Sequence, residues 1–322
     1  MEFRNVIKSG NTSYVISLPR RWILKNQIEK GSVLSIQENR DGSLIITPEK
    51  KELKKTEKEY SINLDETTPE TFRRQLVSCY INGYTTLIIR GKNITSYLKM
   101  IKDSLEELIA FEIMEIEKER IVIRDCLNFG EMNFEDIIRK MDINIRGMFE
   151  EVLNSLEKLQ ITETQISSIG NMDKNLNRLN FLCEKIAREA LEKPPVANAL
   201  GVSPLQSFIA VNTSAALENI GDNLKNLMKH LKNSLSREEK VFIRKQCLLS
   251  FENYKNAMEA YFKRDKRAAN QVSDEKHRIR EKNEEFFAKK KNMSIAASRA
   301  IERIQMIESM IGIIMRTIID MV

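Results

Sequence analysis

Short apolar runs bounded by turn residues open the chain. Val6-Ile7 and Ser13-Tyr14-Val15-Ile16-Ser17 read as strands on either side of a Gly10-Asn11 turn. Leu18-Pro19-Arg20-Arg21-Trp22 then predicts a short helix through about Gln27, with Pro19 at its first position and Gly31 ending it. Ser32 to Ile36 and Ser43 to Thr47 pair across Asp41-Gly42, a strong hairpin signal. The order over residues 1–48 is strand, strand, helix, strand, strand. A segment this short buries too little surface for a comfortable monomeric core, so two interlocked copies are the physical expectation.

Residues 49–59 form a charged connector, Lys50 to Lys58 reading KKELKKTEK. Over residues 60–130 the pattern alternates. Ser61 to Leu64 is a strand, and Thr68-Pro69-Glu70 opens a helix to Tyr80, with Thr68 as N-cap and Pro69 at N1. Thr85 to Ile89 is a second strand, Ser96 to Ala110 a helix, and Glu112–Ile116 with Arg120–Ile123 a closing hairpin. This β-α-β-α-β-β order predicts a small α/β unit.

Beyond it the apolar period changes to three and four, as in Ile145, Met148, Val152, Leu156 and Leu159. Six helices are expected near 133–159, 171–193, 203–232, 236–264, 265–290 and 292–321, with Pro194-Pro195 as the chief interruption. The chain also repeats itself. Ala216-Leu217-Glu218-Asn219-Ile220 matches Ala300-Ile301-Glu302-Arg303-Ile304, and Asn177-Arg178-Leu179 sits against His277-Arg278-Ile279. Two tandem three-helix bundles follow, over 131–234 and 235–322, and the chain is multi-domain and mainly α.

Charge placement changes the picture for the head. Residues 1–58 hold 12 Lys/Arg against 7 Asp/Glu, and the remaining 264 residues hold 40 against 39, out of a net charge of +6. Such asymmetry points the N-terminal segment toward a polyanion. Cys79, Cys126, Cys183 and Cys247 lie far apart without a CxxC, which fits reduced, buried cytosolic thiols better than a zinc ribbon. Glu2, Arg4 and Lys8 interrupt any leader-like apolar run, and Glu308, Arg316 and Asp320 interrupt the most membrane-like stretch, so a cytoplasmic, non-membrane protein is expected. With two histidines and no nucleophile elbow, P-loop or HExxH, a binding protein is expected rather than an enzyme.

Residues 3–48 resemble the SpoVT/AbrB family through Lys8-Ser9-Gly10-Asn11, Ser13 to Pro19, Trp22, Gly31 and Asp41-Gly42. The resemblance implies a dimeric swapped-hairpin barrel that contacts double-stranded DNA through Arg4, Lys8, Arg20 and Arg21. Asn11 stands where that family often carries a basic residue, so one phosphate contact would be weaker or come from an amide.

Glu218-Asn219-Ile220-Gly221-Asp222, echoed by Glu302-Arg303-Ile304, resembles the signature of the PhoU family. Head, middle unit and helical repeats together look like archaeal PhoU-type phosphate uptake regulators. That resemblance implies a homodimeric transcription regulator of phosphate transport whose helical part senses the signal. It also implies iron or zinc held by paired carboxylates four residues apart. Glu218 and Asp222 form such a pair. Asp173 with Asn177 is a weakened version, Glu302 is followed by Met306, and His277 replaces an acidic position. Two alternatives stand beside this reading. The helical part could dock on a phosphate transporter ATPase or a sensor kinase while the head only dimerises, or metal could switch DNA binding.

Overall fold

A computed structural model of the chain describes residues 2–38, 42–48, 57–157, 161–232, 235–289 and 293–320. It divides into two units, Met1–Lys55 and Thr56–Val322.

In the first unit, β1 (Ile7–Ser9) and β2 (Ser13–Val15) form an antiparallel hairpin that pairs Ile7 with Val15 and Lys8 with Tyr14. Gly10 turns the chain at φ 73, a left-handed conformation open to glycine at little cost. Helix α1 (Arg20–Lys25) follows, with Pro19 as its extended N-cap residue rather than its first helical one. It also ends sooner than expected: Asn26 caps it and Gln27, at φ 53, turns the chain away before Gly31 is reached. β3 (Leu34–Glu38) and β4 (Leu44–Pro48) make a second antiparallel hairpin, each starting one or two residues later than expected. Asp41, half of the expected turn signal, lies outside the described residues, as do residues 49–56 of the connector.

The second unit begins with a four-stranded sheet in the order β5-β6-β8-β7. Its strands are β5 (Glu59–Asn63), β6 (Thr86–Arg90), β7 (Phe111–Ile116) and β8 (Arg120–Asp125). β5 and β6 run parallel and the others antiparallel, which the intervening helix α2 (Pro69–Ile81) makes possible. Thr68 caps α2 by accepting a hydrogen bond from the Thr71 amide, and Pro69 sits in its first turn as the sequence predicts. The helix expected to Ala110 is shorter. A 3-10 turn leads into α3 (Leu98–Leu105), and Ala110 at φ 65 redirects the chain into β7. Leu87, Ile89, Ile121 and Ile123 of the sheet pack on Phe72, Leu76 and Tyr80 of α2 and Ile101 of α3 to make a compact core.

Seven helices follow among the described residues: α4 (Phe134–Glu157), α5 (Glu163–Glu192), α6 (Pro194–Leu200), α7 (Pro204–Leu231), α8 (Arg237–Lys263), α9 (Lys266–Lys289) and α10 (Ile295–Ile319). The short α6 starts at the very prolines read as an interruption, because proline suits the first turn of a new helix. α4, α5 and α7 pack on one another, as do α8, α9 and α10, and the repeated segments fall on α7 with α10 and on α5 with α9. Contacts of α7 with α10 and of α4 with α8 join the two sets through one continuous apolar core, from Ile145 and Phe149 on α4 to Leu224 on α7 and Ile304 on α10. The α4–α8 contact has a polar rivet: Tyr254 Oη donates to Asp142 Oδ1 at 2.8 Å, and Arg146 Nε donates to the same carboxylate at 3.0 Å. Gly221 on α7 lets α5 approach closely, since a Cβ there would lie 2.2 Å from Leu176 Cδ1.

The α/β unit is seated on α5. Phe181 packs against the sheet's core, and Arg188 donates to Asn82 Oδ1 at 3.1 Å. Lys185 is the most buried charge at this junction. Its Nζ lies 3.0 Å from Asp125 Oδ2, and 4.1 Å and 4.7 Å from the ring centres of Tyr80 and Phe111. The far side of the same turn receives the chain as it leaves the connector. Lys58 donates from Nζ to the Asn82 carbonyl at 3.0 Å and from its amide to Thr85 Oγ1 at 3.0 Å.

No described helix is long and apolar enough to cross a membrane.

Candidate nucleic-acid interface and carboxylate cluster

Among its described residues the head has none that is buried. Phe3, Val6, Ile7, Tyr14, Leu24, Val33, Ile36 and Leu44 are all large, apolar and exposed, Phe3 at 85% and Tyr14 at 69%. Two isolated two-stranded hairpins and a six-residue helix cannot cover these groups by themselves, and a lone hairpin is at best marginal in water. The described residues of the segment thus leave its apolar groups uncovered.

The polar residues predicted to meet DNA are spread over this small body and all are exposed. Arg4 lies just before β1 and its guanidinium meets Glu2 at 2.6 Å. Lys8 occupies the middle of β1 opposite Tyr14, and Asn11 sits in the turn that follows. Arg20 and Arg21 open α1, where the extended Pro19 presents them directly after the second strand. A surface ion pair such as Arg4–Glu2, 39% and 59% exposed, is worth little, so the Arg4 guanidinium is cheaply released to a phosphate.

The other site candidates lie in the helical half. Asp173 on α5 faces α7, which carries Glu218 and, one turn later, Asp222. Between Asp173 and Asp222 lies a side chain the sequence reading passed over. Lys225 Nζ donates to Asp173 Oδ2 and to Asp222 Oδ1, both at 2.6 Å. Burial draws the Lys225 ammonium down, but its two carboxylate bonds outweigh that and hold its pKa above the usual lysine value. Glu218 is left without a cation of its own. Burial first, and then repulsion from Asp222 and Asp173, lift its pKa to about 7.

Iron or zinc would need three or more converging ligands, and among the described residues no group of His, Cys, Asp and Glu side chains forms one. The two carboxylates that come closest already bind an ammonium. Asn177 is half-buried on α5, while Glu302 and Met306 are exposed on α10. His277 belongs to α9, and its side chain lies outside the described residues. The arrangement does not fit a metal ion as it stands. Burial pushes the Cys79 thiol up to about 11 and those of Cys183 and Cys247 to about 12. Cys126, expected to be buried, is exposed beyond the end of β8.

Residues 7–54 match the family model for "Antidote-toxin recognition MazE, bacterial antitoxin". The head is thus similar to a MazE/AbrB-like antitoxin domain, a class consistent with a DNA-binding or antitoxin-type regulator and with dimerisation. Neither a curated protein nor a solved structure matches the chain. The match ends before the second unit, so the PhoU-like reading of the helices rests on Glu218 to Asp222 and Glu302 to Ile304.

Proposed function

We propose that the chain is a homodimeric, non-enzymatic transcription regulator that binds double-stranded DNA through its paired heads. The observation that carries this reading is the head itself, a basic MazE-like segment in which no described residue is buried. A second copy supplies the missing half of its core, and the two-fold body so formed presents Arg4, Lys8, Asn11, Arg20 and Arg21 twice, suited to a pseudo-palindromic site. The helical half receives the signal. Control of phosphate uptake is the pathway its signature residues suggest.

Sedimentation of the full chain with duplex DNA tests the reading. The protein runs as a dimer and carries DNA with it, and Ile7→Glu together with Val15→Glu, which places charge in the shared core, abolishes both. A monomer that still retains DNA would contradict the paired-head mechanism.

The antitoxin match favours a second reading, in which the heads only dimerise and the helices grip a protein such as a phosphate transporter ATPase or a sensor kinase. Capture of such a partner by a dimer that retains no DNA would select it.

A further inference from the structure

The structure assigns to Lys225 the place of a resident cation: we propose that its ammonium clamps α5 to α7 in the position where a metal ion would otherwise bridge carboxylates, and that the helical unit is built to work metal-free. This inference is independent of the DNA-binding reading.

The geometry is that of a bridging ion. One Nζ reaches a carboxylate on each of two helices, Asp173 on α5 and Asp222 on α7, at 2.6 Å. The partners lie 52 and 3 residues away in sequence, so the lysine joins a distant helix to its own. The Lys225 and Asp173 side chains are 25% and 9% exposed, which removes much of the solvent screening on the α5 side of the clamp, while Asp222 at 44% stays open to water. Ammonium supplies three donors, and these two carboxylates take two of them.

A lone lysine beside an aspartate three residues earlier would be unremarkable. What sets this one apart is the local excess of negative charge. Glu218 on α7 feels Asp222, Asp173 and Lys225 alike, so three carboxyl groups lie around a single ammonium. Removing that ammonium leaves like charges facing one another across a close helix contact, where Gly221 admits the Leu176 side chain. A divalent cation answers the same need, since oxygen ligands are what hard cations select. Lysine differs in being covalently attached. The clamp is therefore always loaded, and it opposes free metal by holding one oxygen of each carboxylate and placing a positive charge between them.

The test uses the full chain, dialysed against chelator and then melted with and without millimolar Mn(II) or Zn(II). The wild type is expected to retain no stoichiometric metal and to melt at an unchanged temperature. Lys225→Met, close in size and without charge, is expected to melt lower and to recover by about 3 °C or more on adding Mn(II), a shift readily measured for a unit of this size. Lys225→Arg, which keeps a cation, is expected to behave as the wild type with respect to Mn(II). If Lys225→Met does not fold, Lys225→Met with Asp173→Asn is the deciding variant. Removing one repelling carboxylate is expected to restore folding, and failure to do so overturns the clamp. Stoichiometric metal in the wild type that disappears in Asp222→Asn would also overturn it, as would a Lys225→Met protein as stable as the wild type.

Discussion

Lys185 Nζ lies 3.0 Å from Asp125 Oδ2, and the two side chains are 0% and 2% exposed. This ion pair joins helix α5 to the end of strand β8, with the rings of Tyr80 and Phe111 closing around the ammonium. Breaking a buried pair from one side costs about 3–5 kcal/mol, because the other charge stays behind unpaired. Lys185→Met is expected to lose that much in urea unfolding of the full chain. Adding Asp125→Leu is expected to recover most of it, and a double variant no better than the single one would show that packing, not charge, explains the loss.

Gly221 is held to its residue type by space. A methyl group there would press on Leu176 at 2.2 Å, with Met148 Sδ at 3.7 Å on the other side. Gly221→Ala is expected to destabilise the helical unit by about 1–3 kcal/mol, the usual range for overpacking. Leu176→Ala in the same chain opens the needed space, so the two losses are expected to add to less than their sum in a double-variant cycle.

Glu218 makes stability depend on pH in a direction opposite to that of most carboxylates. Its pKa rises from the ordinary glutamate value to about 7 on folding, so the folded chain holds a proton that the unfolded chain has released. Between about pH 4.3 and 7 the unfolded state binds fewer protons, and stability therefore falls as pH rises through that window. The contribution is present below the unfolded value, is lost by about pH 7 and is flat above it. Since the group is partly solvated, about 1–2 kcal/mol is the expected amplitude. Glu218→Gln stays neutral and is expected to flatten the profile; an unchanged slope in that variant would contradict the assignment.

Much of this architecture was readable from spacing. Thr68 and Pro69 placed the start of α2, and the alternation of strand and helix gave the α/β order. The three-and-four period marked the helical half. Misses came where local signals were weak or were outweighed by distant contacts. The start of α5 lies at a Thr162–Gln165 capping box, eight residues before the expected helix, and only reading Thr162 as a cap would have found it. α3 stops at Leu105 although no Gly or Pro marks the break, because Ala110 turns left-handed to deliver Phe111 into the core. Glu218 and Asp222 were visible as a carboxylate pair, but Lys225 was not visible as their neighbour's partner. Its link to Asp173 spans 52 residues, a distance that no helical period encodes.

The proposed DNA-binding role of the head is tested most directly by the salt dependence of duplex affinity. Each phosphate contact contributes about −0.9 to the slope of log affinity against log salt, and Arg4, Lys8, Arg20 and Arg21 in two heads would bring the slope to about −7 if all engage. Gel-shift titration of the 322-residue chain over a range of salt is expected to show that steep, linear fall. Arg4, Arg20 and Arg21 changed together to Ala are expected to weaken binding and flatten the slope. Affinity indifferent to salt, or undiminished in the triple variant, would contradict the assignment of these heads to DNA.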